Sequence, residues 1–161
     1  MKAAVLTVSD RVSSGEAVDR SGPAAVEILK NAGFDVTETR VVADGIESVA
    51  GALSDLVAVV DLIVTSGGTG FTARDLTPEA TLTVIERFAP GLAEAMRAAT
   101  FGVNPHGMLS RGVAGIAGST LIVNLPGSEK GVRESLEVIR PALRHGVELL
   151  ISTDSDHNTG S

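Results

Sequence analysis

A glycine-rich run in the middle of the chain carries the first groups that could do chemistry. It reads Ser-Gly-Gly-Thr-Gly and follows directly on an apolar segment. Its glycines leave the backbone free to turn sharply, so that N–H groups can point at an anion, and its hydroxyls add two donors. It lacks the Gly-Lys-Ser/Thr ending of a P-loop and the spacing of the dinucleotide fingerprint. The run therefore predicts either a phosphate-binding loop or a turn that only reverses the chain. Its candidate ligands are Ser66, Gly67, Gly68, Thr69 and Gly70.

Two aspartates accompany this run. Arg74 and Asp75 follow it after three residues, and Asp44 stands at the end of another apolar segment. A carboxylate beside a phosphate site repels the ligand unless Mg²⁺ lies between them, and Mg²⁺ is typically held by one or two carboxylates plus phosphate oxygens. The pattern predicts that Mg²⁺ lies between Asp75 and a phosphate that Arg74 contacts, and that Asp44 reaches a ligand at the same edge of the sheet. The alternative is that both aspartates only cap turns and that Arg74 is solvated.

Two further loops follow predicted strands and carry polar groups. The second of them opens the last helix, whose free N–H groups can also face an anion. Parallel strands of a doubly wound sheet share one carboxyl edge, so we expect all four loops to converge there. Each loop alone also has a plainer interpretation, as solvated surface or as a strand-to-helix turn. The candidate ligands are Thr7, Ser9 and Asp10 in the first loop and Asn124, Pro126, Gly127 and Ser128 in the second.

Apolar periodicity predicts the elements that position these loops. Short apolar runs indicate buried strands, and apolar residues at spacings of three and four indicate helices. Their alternation implies right-handed parallel crossovers, and hence an open α/β sheet covered on both faces. The predicted strands span 2–8, 34–42, 61–65, 113–116 and 120–124; the predicted helices span 21–32, 46–59 and 128–150, and two more start at Thr77, as a cap, and near Pro90.

The composition excludes several functional classes. A formal net charge of −7 argues against general nucleic-acid binding, which needs a basic face. The chain has no cysteine, which excludes disulfides and thiolate metal sites, and its three histidines show no ligand spacing. We find neither a signal-peptide pattern nor an apolar run near the ~18 residues of a membrane span. We therefore expect a cytoplasmic protein with no nucleic-acid or membrane partner.

The length of 161 residues suits one domain with a single core. The final stretch is polar and lacks periodicity. We place the domain at residues 1–151 and predict a disordered tail at 152–161.

Several stretches of the chain match the motifs of one family. The most specific is Ser66–Gly70 followed by Arg74–Ala80, which reads Arg-Asp-Leu-Thr-Pro-Glu-Ala. This combination resembles the signature of the molybdopterin-binding family, which includes bacterial molybdopterin adenylyltransferases and the G domains of gephyrin. The resemblance covers essentially the whole chain apart from the tail. Supporting stretches are Thr7–Arg11, Asp19–Pro23, Met108–Arg111, Gly118–Ile122 and Leu125–Ser128.

The resemblance implies a three-layer α/β fold with a mostly parallel sheet, and a homotrimer. It implies that the terminal phosphate of molybdopterin attacks the α-phosphate of ATP with the help of Mg²⁺, and that the adenylylated product passes to a molybdate-inserting enzyme. By motif, Asp44 and Asp75 match the family's two functional aspartates, which implies that they are catalytic and hold Mg²⁺, and Ser119 matches a pocket residue. Phe71 is either a pterin contact or a packing residue.

Two other functions fit the same family. One is a paralogue that binds molybdopterin without transferring AMP, and retention of both aspartates disfavours it. The other is a scaffolding trimer, which the chain's lack of a fused domain disfavours.

Overall fold

Six strands form one sheet at the centre of the molecule. The computed structural model describes residues 1–157. In chain order the strands are β1 (Lys2–Val8), β2 (Asp35–Val42), β3 (Leu62–Ser66), β4 (Arg87–Phe88), β5 (Ala114–Ala117) and β6 (Thr120–Leu125). They stand in the order β2-β1-β3-β6-β5-β4. The pairs β1–β2, β1–β3 and β3–β6 are parallel, whereas β5 runs antiparallel to both of its neighbours.

Helices cover both faces of this sheet, so the predicted mostly parallel α/β fold is confirmed. They are α1 (Asp10–Ser13), α2 (Ser21–Asn31), α3 (Ile46–Val57), α4 (Thr77–Leu82), α5 (Pro90–Ala98) and α6 (Glu129–His157), with a 3-10 helix at Pro105–Leu109. None of the helices in the described part of the chain is both long and apolar enough to cross a membrane.

The position of each strand in the sheet explains its sequence pattern. The strands β3 and β6 are buried at every residue, and β1 at all but its first, because helices cover both sides. Such strands are continuous apolar runs. The edge strand β2 instead alternates exposed and half-buried residues. Successive β1 residues point to opposite faces, so Val5 packs with α2 and α6 while Leu6 packs with α3 and α4.

The structure differs from the sequence prediction at several short elements. Residues 10–13 form a helical turn inside the predicted polar loop, where the Ser9 hydroxyl accepts the Val12 N–H at 3.2 Å. The two-residue strand β4 and the 3-10 helix were not predicted, because neither is long enough to show periodicity. Thr77 does not cap α4: Leu76 is the N-cap residue, and the buried Thr77 hydroxyl has no partner in the described structure.

The last helix continues beyond Leu150, where the sequence predicted its end, to His157. It thus enters the segment predicted as a disordered tail. Residues 158–161 lie outside the described part of the chain, and their disorder stays a prediction.

Asn124 ties three elements together beneath the sheet edge. It is 2% exposed, and its amide nitrogen donates to the hydroxyls of Thr65 (3.1 Å) and Thr81 (2.9 Å). Its amide oxygen accepts the backbone N–H of Val113 at 3.2 Å. The side chain thereby links β6 to β3, to α4 and to the segment before β5.

Replacing Asn124 by leucine should destabilise the protein while preserving side-chain volume. The change leaves the half-buried Val113 N–H without an acceptor and removes the buried hydrogen bonds to Thr65 and Thr81, which costs about 1–3 kcal/mol. The midpoint of urea unfolding measures the effect. Asn104→Leu is the matched control, because Asn104 is exposed and caps only the 3-10 helix. Equal midpoints for the two variants would contradict the structural role of Asn124.

Candidate active site

A pocket of about 550 Å³ opens at the carboxyl edge of the sheet. It lies between the loops that follow β1, β2, β3 and β6, as the topology of parallel strands requires. We call it the acidic pocket, because four carboxylates and a single guanidinium line it. Those five residues are Asp19, Asp44, Asp75, Glu129 and Arg20. Thr7, Ser9, Ser66, Gly67, Gly68 and Gly127 complete most of the wall.

The backbone of the glycine loop (residues 66–70) passes very close to the ends of β1 and β6. Gly67 has a φ of 105°, and a methyl group there would lie 2.2 Å from the carbonyl oxygen of Val8. The Gly67 N–H donates to the Leu125 carbonyl at 3.2 Å, and a methyl group on Gly127 would lie 3.2 Å from the Gly67 Cα. Only glycine fits at this crossing. A turn that merely reverses the chain would not need so close an approach, so that interpretation does not explain all of residues 66–70.

Beyond this crossing the loop presents free donors. Within residues 1–157, the backbone N–H groups of Gly68, Thr69 and Gly70 donate to no protein acceptor. Successive free N–H groups on a turning backbone form an anion-binding concavity. The loop is therefore equipped to hold a phosphate group without a basic side chain. The Ser66 hydroxyl points elsewhere, donating to the Pro126 carbonyl at 3.1 Å.

The two predicted aspartates converge on this loop. A methyl group on Gly68 would lie 3.1 Å from Asp44 Oδ1, and one on Gly70 would lie 2.9 Å from Asp75 Oδ2. Asp44 Oδ2 accepts the N–H of Asp10 at 2.8 Å, and Asp75 Oδ2 accepts the N–H of Thr72 at 2.9 Å. Neither carboxylate belongs to an ion pair among the described residues. Both negative charges are available to a cation.

Asp10 and Arg74 do not line the acidic pocket, and their contact with a ligand stays a prediction. The Arg74 guanidinium makes two hydrogen bonds to the Asp10 carboxylate, at 3.0 and 2.9 Å, and a third to the Asp44 carbonyl. The Asp44 N–H donates to Asp10 Oδ1 at 3.0 Å. The Arg74 hydrogen bonds hold the pKa of the Asp10 carboxyl below its usual value. Both side chains are already engaged with protein partners.

Arg111 fastens the other side of the glycine loop, and the sequence did not single it out as a site residue. Its Nε donates to the Gly70 carbonyl at 2.8 Å, and its Nη2 donates to the Asp75 carbonyl. The guanidinium also pairs with both carboxylate oxygens of Glu79, which holds the pKa of Glu79 below its usual value. The only sequence signal for this role is the Met108–Arg111 stretch of the family resemblance.

Thr7 lines the pocket as predicted, but it is held by a residue absent from the predicted ligands. Its hydroxyl donates to Asp19 Oδ2 at 2.7 Å, and Asp19 Oδ1 accepts the N–H of Gly22 at 2.9 Å. The Asp19 carboxylate thus occupies the start of α2. A phosphate is therefore directed away from that helix end and towards the glycine loop.

A second pocket of about 700 Å³ is lined by other residues of the glycine loop and of the loop after β6. We call it the apolar pocket, because most of its lining is apolar and includes Met96, Leu109 and Val138. The other predicted ligands of the two shared loops face this side: Thr69, Gly70, Pro126 and Ser128. The glycine loop and the loop after β6 therefore form a partition between two adjoining cavities.

Two predicted ligands are not brought to the acidic pocket. Ser119 lies in the β5–β6 turn, before the first residue of β6, and so at the opposite end of that strand. Asn124 is buried, and all three of its side-chain hydrogen bonds go to protein groups. Phe71 is 69% exposed, so it does not pack in the interior of this chain, which was the alternative to a pterin contact.

The fold and the site define a class of protein: an α/β domain whose sheet carries, at its carboxyl edge, a pocket with free N–H groups and two aspartates that form no ion pair. Residues 4–145 match the family described as "Probable molybdopterin binding domain", and the chain belongs to that family.

Curated relatives of this chain include bacterial enzymes and a larger eukaryotic protein. The chain is 40% identical over 151 residues to a molybdopterin adenylyltransferase of Helicobacter pylori, covering 91% of this chain and 86% of that protein. It is 39% identical over 147 residues to the molybdopterin adenylyltransferase of Escherichia coli K12, covering 88% and 75%. Gephyrin of Dictyostelium discoideum is 43% identical over 159 residues, and the match spans 92% of this chain but 22% of gephyrin.

Solved structures share the fold over nearly the whole chain. The molybdopterin biosynthesis enzyme MoaB of Thermus thermophilus superposes with a TM-score of 0.88 at 44% identity, covering 92% of this chain and 95% of that one. The molybdopterin biosynthesis Mog protein of Mycobacterium ulcerans gives a TM-score of 0.87 at 47% identity, covering 92% and 98%.

Substituting Gly67 by alanine should destabilise the protein by at least about 1–3 kcal/mol, the cost of a strained backbone conformation. The added methyl group meets the Val8 carbonyl as well, so the crossing must open. Gly51→Ala is the control, because Gly51 lies in α3 with nothing near an added methyl group. That control should gain about 0.5–1 kcal/mol. The midpoints of urea unfolding compare the two; a Gly67 variant as stable as the parent would contradict the close crossing.

Proposed function

We propose that this chain is a molybdopterin adenylyltransferase, which transfers AMP from ATP to the terminal phosphate of molybdopterin and releases pyrophosphate. The observation that carries the proposal is the convergence of Asp44 and Asp75, from two different loops, on a glycine loop with free N–H groups. It is supported by the relatives of that name, about 40% identical to this chain over most of its length.

The charge of the acidic pocket favours a reaction that uses Mg²⁺. The nucleotide's phosphates and the pocket's carboxylates are all negative, so they repel one another unless a cation separates them. In the described residues no cluster of three or more acidic or histidine side chains forms a complete metal cage. Two unpaired aspartates fit Mg²⁺ that arrives with ATP, because Mg²⁺ binds substrate phosphates and only one or two carboxylates. Asp44 and Asp75 would hold the ion, which offsets negative charge that develops on the phosphates.

The chain's own groups would do the positioning. Nucleotidyl transfer demands mainly alignment of the attacking and leaving oxygens, together with charge stabilisation. The N–H groups of Gly68, Thr69 and Gly70 are placed to hold a phosphate in the partition between the two pockets. Two cavities that adjoin at this loop offer room for two substrates whose reacting phosphates meet there. The crossing at Gly67 keeps the loop rigid, so little reorganisation accompanies the transfer.

The surface supports the proposal of a homotrimer. Three of the four phenylalanines, Phe71, Phe88 and Phe101, are at least 64% exposed. Exposed aromatic side chains of this size are available to a partner surface, where aromatic residues contribute strongly to interface energetics. In this proposal the trimer works in the cytoplasm and hands its adenylylated product to a molybdate-inserting enzyme.

Asp75→Asn should reduce kcat by about 10²–10³-fold, in line with the loss of one preorganised electrostatic group. The amide keeps the size of the side chain and an oxygen that can accept the Thr72 N–H. Purified protein is mixed anaerobically with molybdopterin, ATP and Mg²⁺, and adenylylated molybdopterin is detected by mass.

Asp55→Asn is the matched control, because Asp55 is an exposed aspartate of α3 that pairs only with Arg40. Bound pterin without any adenylylated product would instead assign the chain to the molybdopterin-binding paralogues. Absence of both pterin and ATP binding would favour the scaffolding alternative. Full activity in the Asp75 variant would remove that residue from the mechanism.

Arg20 offers a second test, because it is the only arginine of the described residues that lines the acidic pocket. Its guanidinium has no hydrogen bond or ion pair within residues 1–157, so it can contact the leaving pyrophosphate. Arg20→Gln should raise the KM for ATP about tenfold, the effect of losing one charge-assisted hydrogen bond of about 1.5 kcal/mol. Arg11→Gln makes the same charge change on α1, outside the pocket. An equal rise in the KM for ATP in both variants would show that the change in net charge alone causes the effect.

A further inference from the structure

We propose that Arg74 and Arg111 are positioning residues that hold the carboxylates of Asp44 and Asp75 against the glycine loop, and that neither binds substrate. This inference rests on the proposed function in one respect, since it takes the two aspartates as the cation-binding pair.

Arg111 fixes the segment that carries Asp75. Its guanidinium donates to the carbonyls of Gly70 and Asp75, which are the two ends of that segment. Its own N–H donates to the Thr69 carbonyl at 2.9 Å. Through the ion pair with Glu79 it also joins the segment to α4. The turn inside the segment is closed by the Asp75 N–H, which donates to the Thr72 carbonyl at 3.1 Å.

Arg74 fixes the segment that carries Asp44 in the same way. It donates to the Asp44 carbonyl and pairs with the carboxylate of Asp10. Asp10 and Asp44 in turn exchange hydrogen bonds, each backbone N–H donating to the other's carboxylate. Arg74, Asp10 and Asp44 therefore form a closed ring of contacts across the loops after β1, β2 and β3.

The pairing scheme leaves the two aspartate charges free. Each guanidinium pairs with a different carboxylate, Glu79 or Asp10, and hydrogen-bonds the aspartate's segment only at backbone carbonyls. A direct ion pair with Asp44 or Asp75 would compete with a cation for the same oxygens. Neither arginine lines the acidic or the apolar pocket. The arrangement orients both aspartates without neutralising them.

The geometry of these contacts requires arginine. A planar guanidinium presents five donors in a fixed fork and can bond a carbonyl and a carboxylate together. A lysine ammonium keeps the charge but is a single point, so it cannot reach both partners in the same plane. Arg111→Lys and Arg74→Lys therefore separate positioning from charge. Arg40→Lys is the matched control: Arg40 pairs with Glu38 and Asp55 and is 35% exposed, against 34% for Arg111.

The test combines metal binding with turnover. Mn²⁺ alone is titrated into each protein and the free ion is followed by electron paramagnetic resonance. AMP transfer is then measured with varied ATP. In Arg111→Lys and Arg74→Lys we expect Mn²⁺ affinity and kcat each to fall about 10–100-fold, as for residues that support a metal's ligands. The KM for ATP should change little, because neither arginine contacts the nucleotide. Arg40→Lys should match the parent in all three quantities.

Other outcomes overturn the proposal. A rise in the KM for ATP with unchanged Mn²⁺ affinity would make the arginines substrate ligands. Parent-like values throughout would show that the aspartates need no support. If Arg111→Lys fails to fold, Glu79→Gln replaces it, since it removes the paired charge and leaves Arg111 in place. If the parent protein transfers no AMP, the proposed function fails, and the Mn²⁺ titration alone then decides the role of the arginines.

Discussion

Three parallel strands end close together, and the backbone after β3 passes between the ends of its two neighbours with no room for a side chain. At Gly67 the space where a Cβ would stand is 2.2 Å from the Val8 carbonyl, and on the other side Gly127 approaches the same residue. The loop cannot relax away, because the Gly67 N–H is bonded to the Leu125 carbonyl. This crossing directs the following N–H groups outwards, between the two pockets. Every other feature of the site is built around that fixed piece of backbone.

The site also shows which groups an acidic protein can offer to a polyanionic ligand. The chain has a net charge of −7, so acidic side chains outnumber basic ones. The two arginines that contact the glycine loop and its flank, Arg111 and Arg74, are already paired with Glu79 and Asp10. Apart from Arg20, the favourable groups that remain are oriented backbone dipoles and carboxylates that can accept a cation. Both are directional, so they select for geometry more than a diffuse basic patch would.

Polar contacts between distant segments hold this arrangement in place. Arg74 reaches Asp10, 64 residues earlier in the chain, and Arg111 reaches Glu79, 32 residues earlier. Asn124 bonds to hydroxyls on β3 and α4 beneath the same edge. Loops usually move more than the elements they join. Here the loops are tied to one another and to the buried sheet, which favours a preorganised site.

The sequence by itself determined the class of fold, most strand and helix positions, and the importance of the glycine run with Asp44 and Asp75. These features depend on local periodicity, on residue type and on the rule that parallel strands share one carboxyl edge. Only the tertiary structure decided which polar residues face the pocket. Arg74 and Asp10 pair with each other, Asn124 is buried, and Arg111 and Asp19 belong to the site. Those outcomes depend on hydrogen-bond partners elsewhere in the chain, up to 64 residues away, because a donor's orientation is set by whichever acceptor the fold brings within about 3 Å.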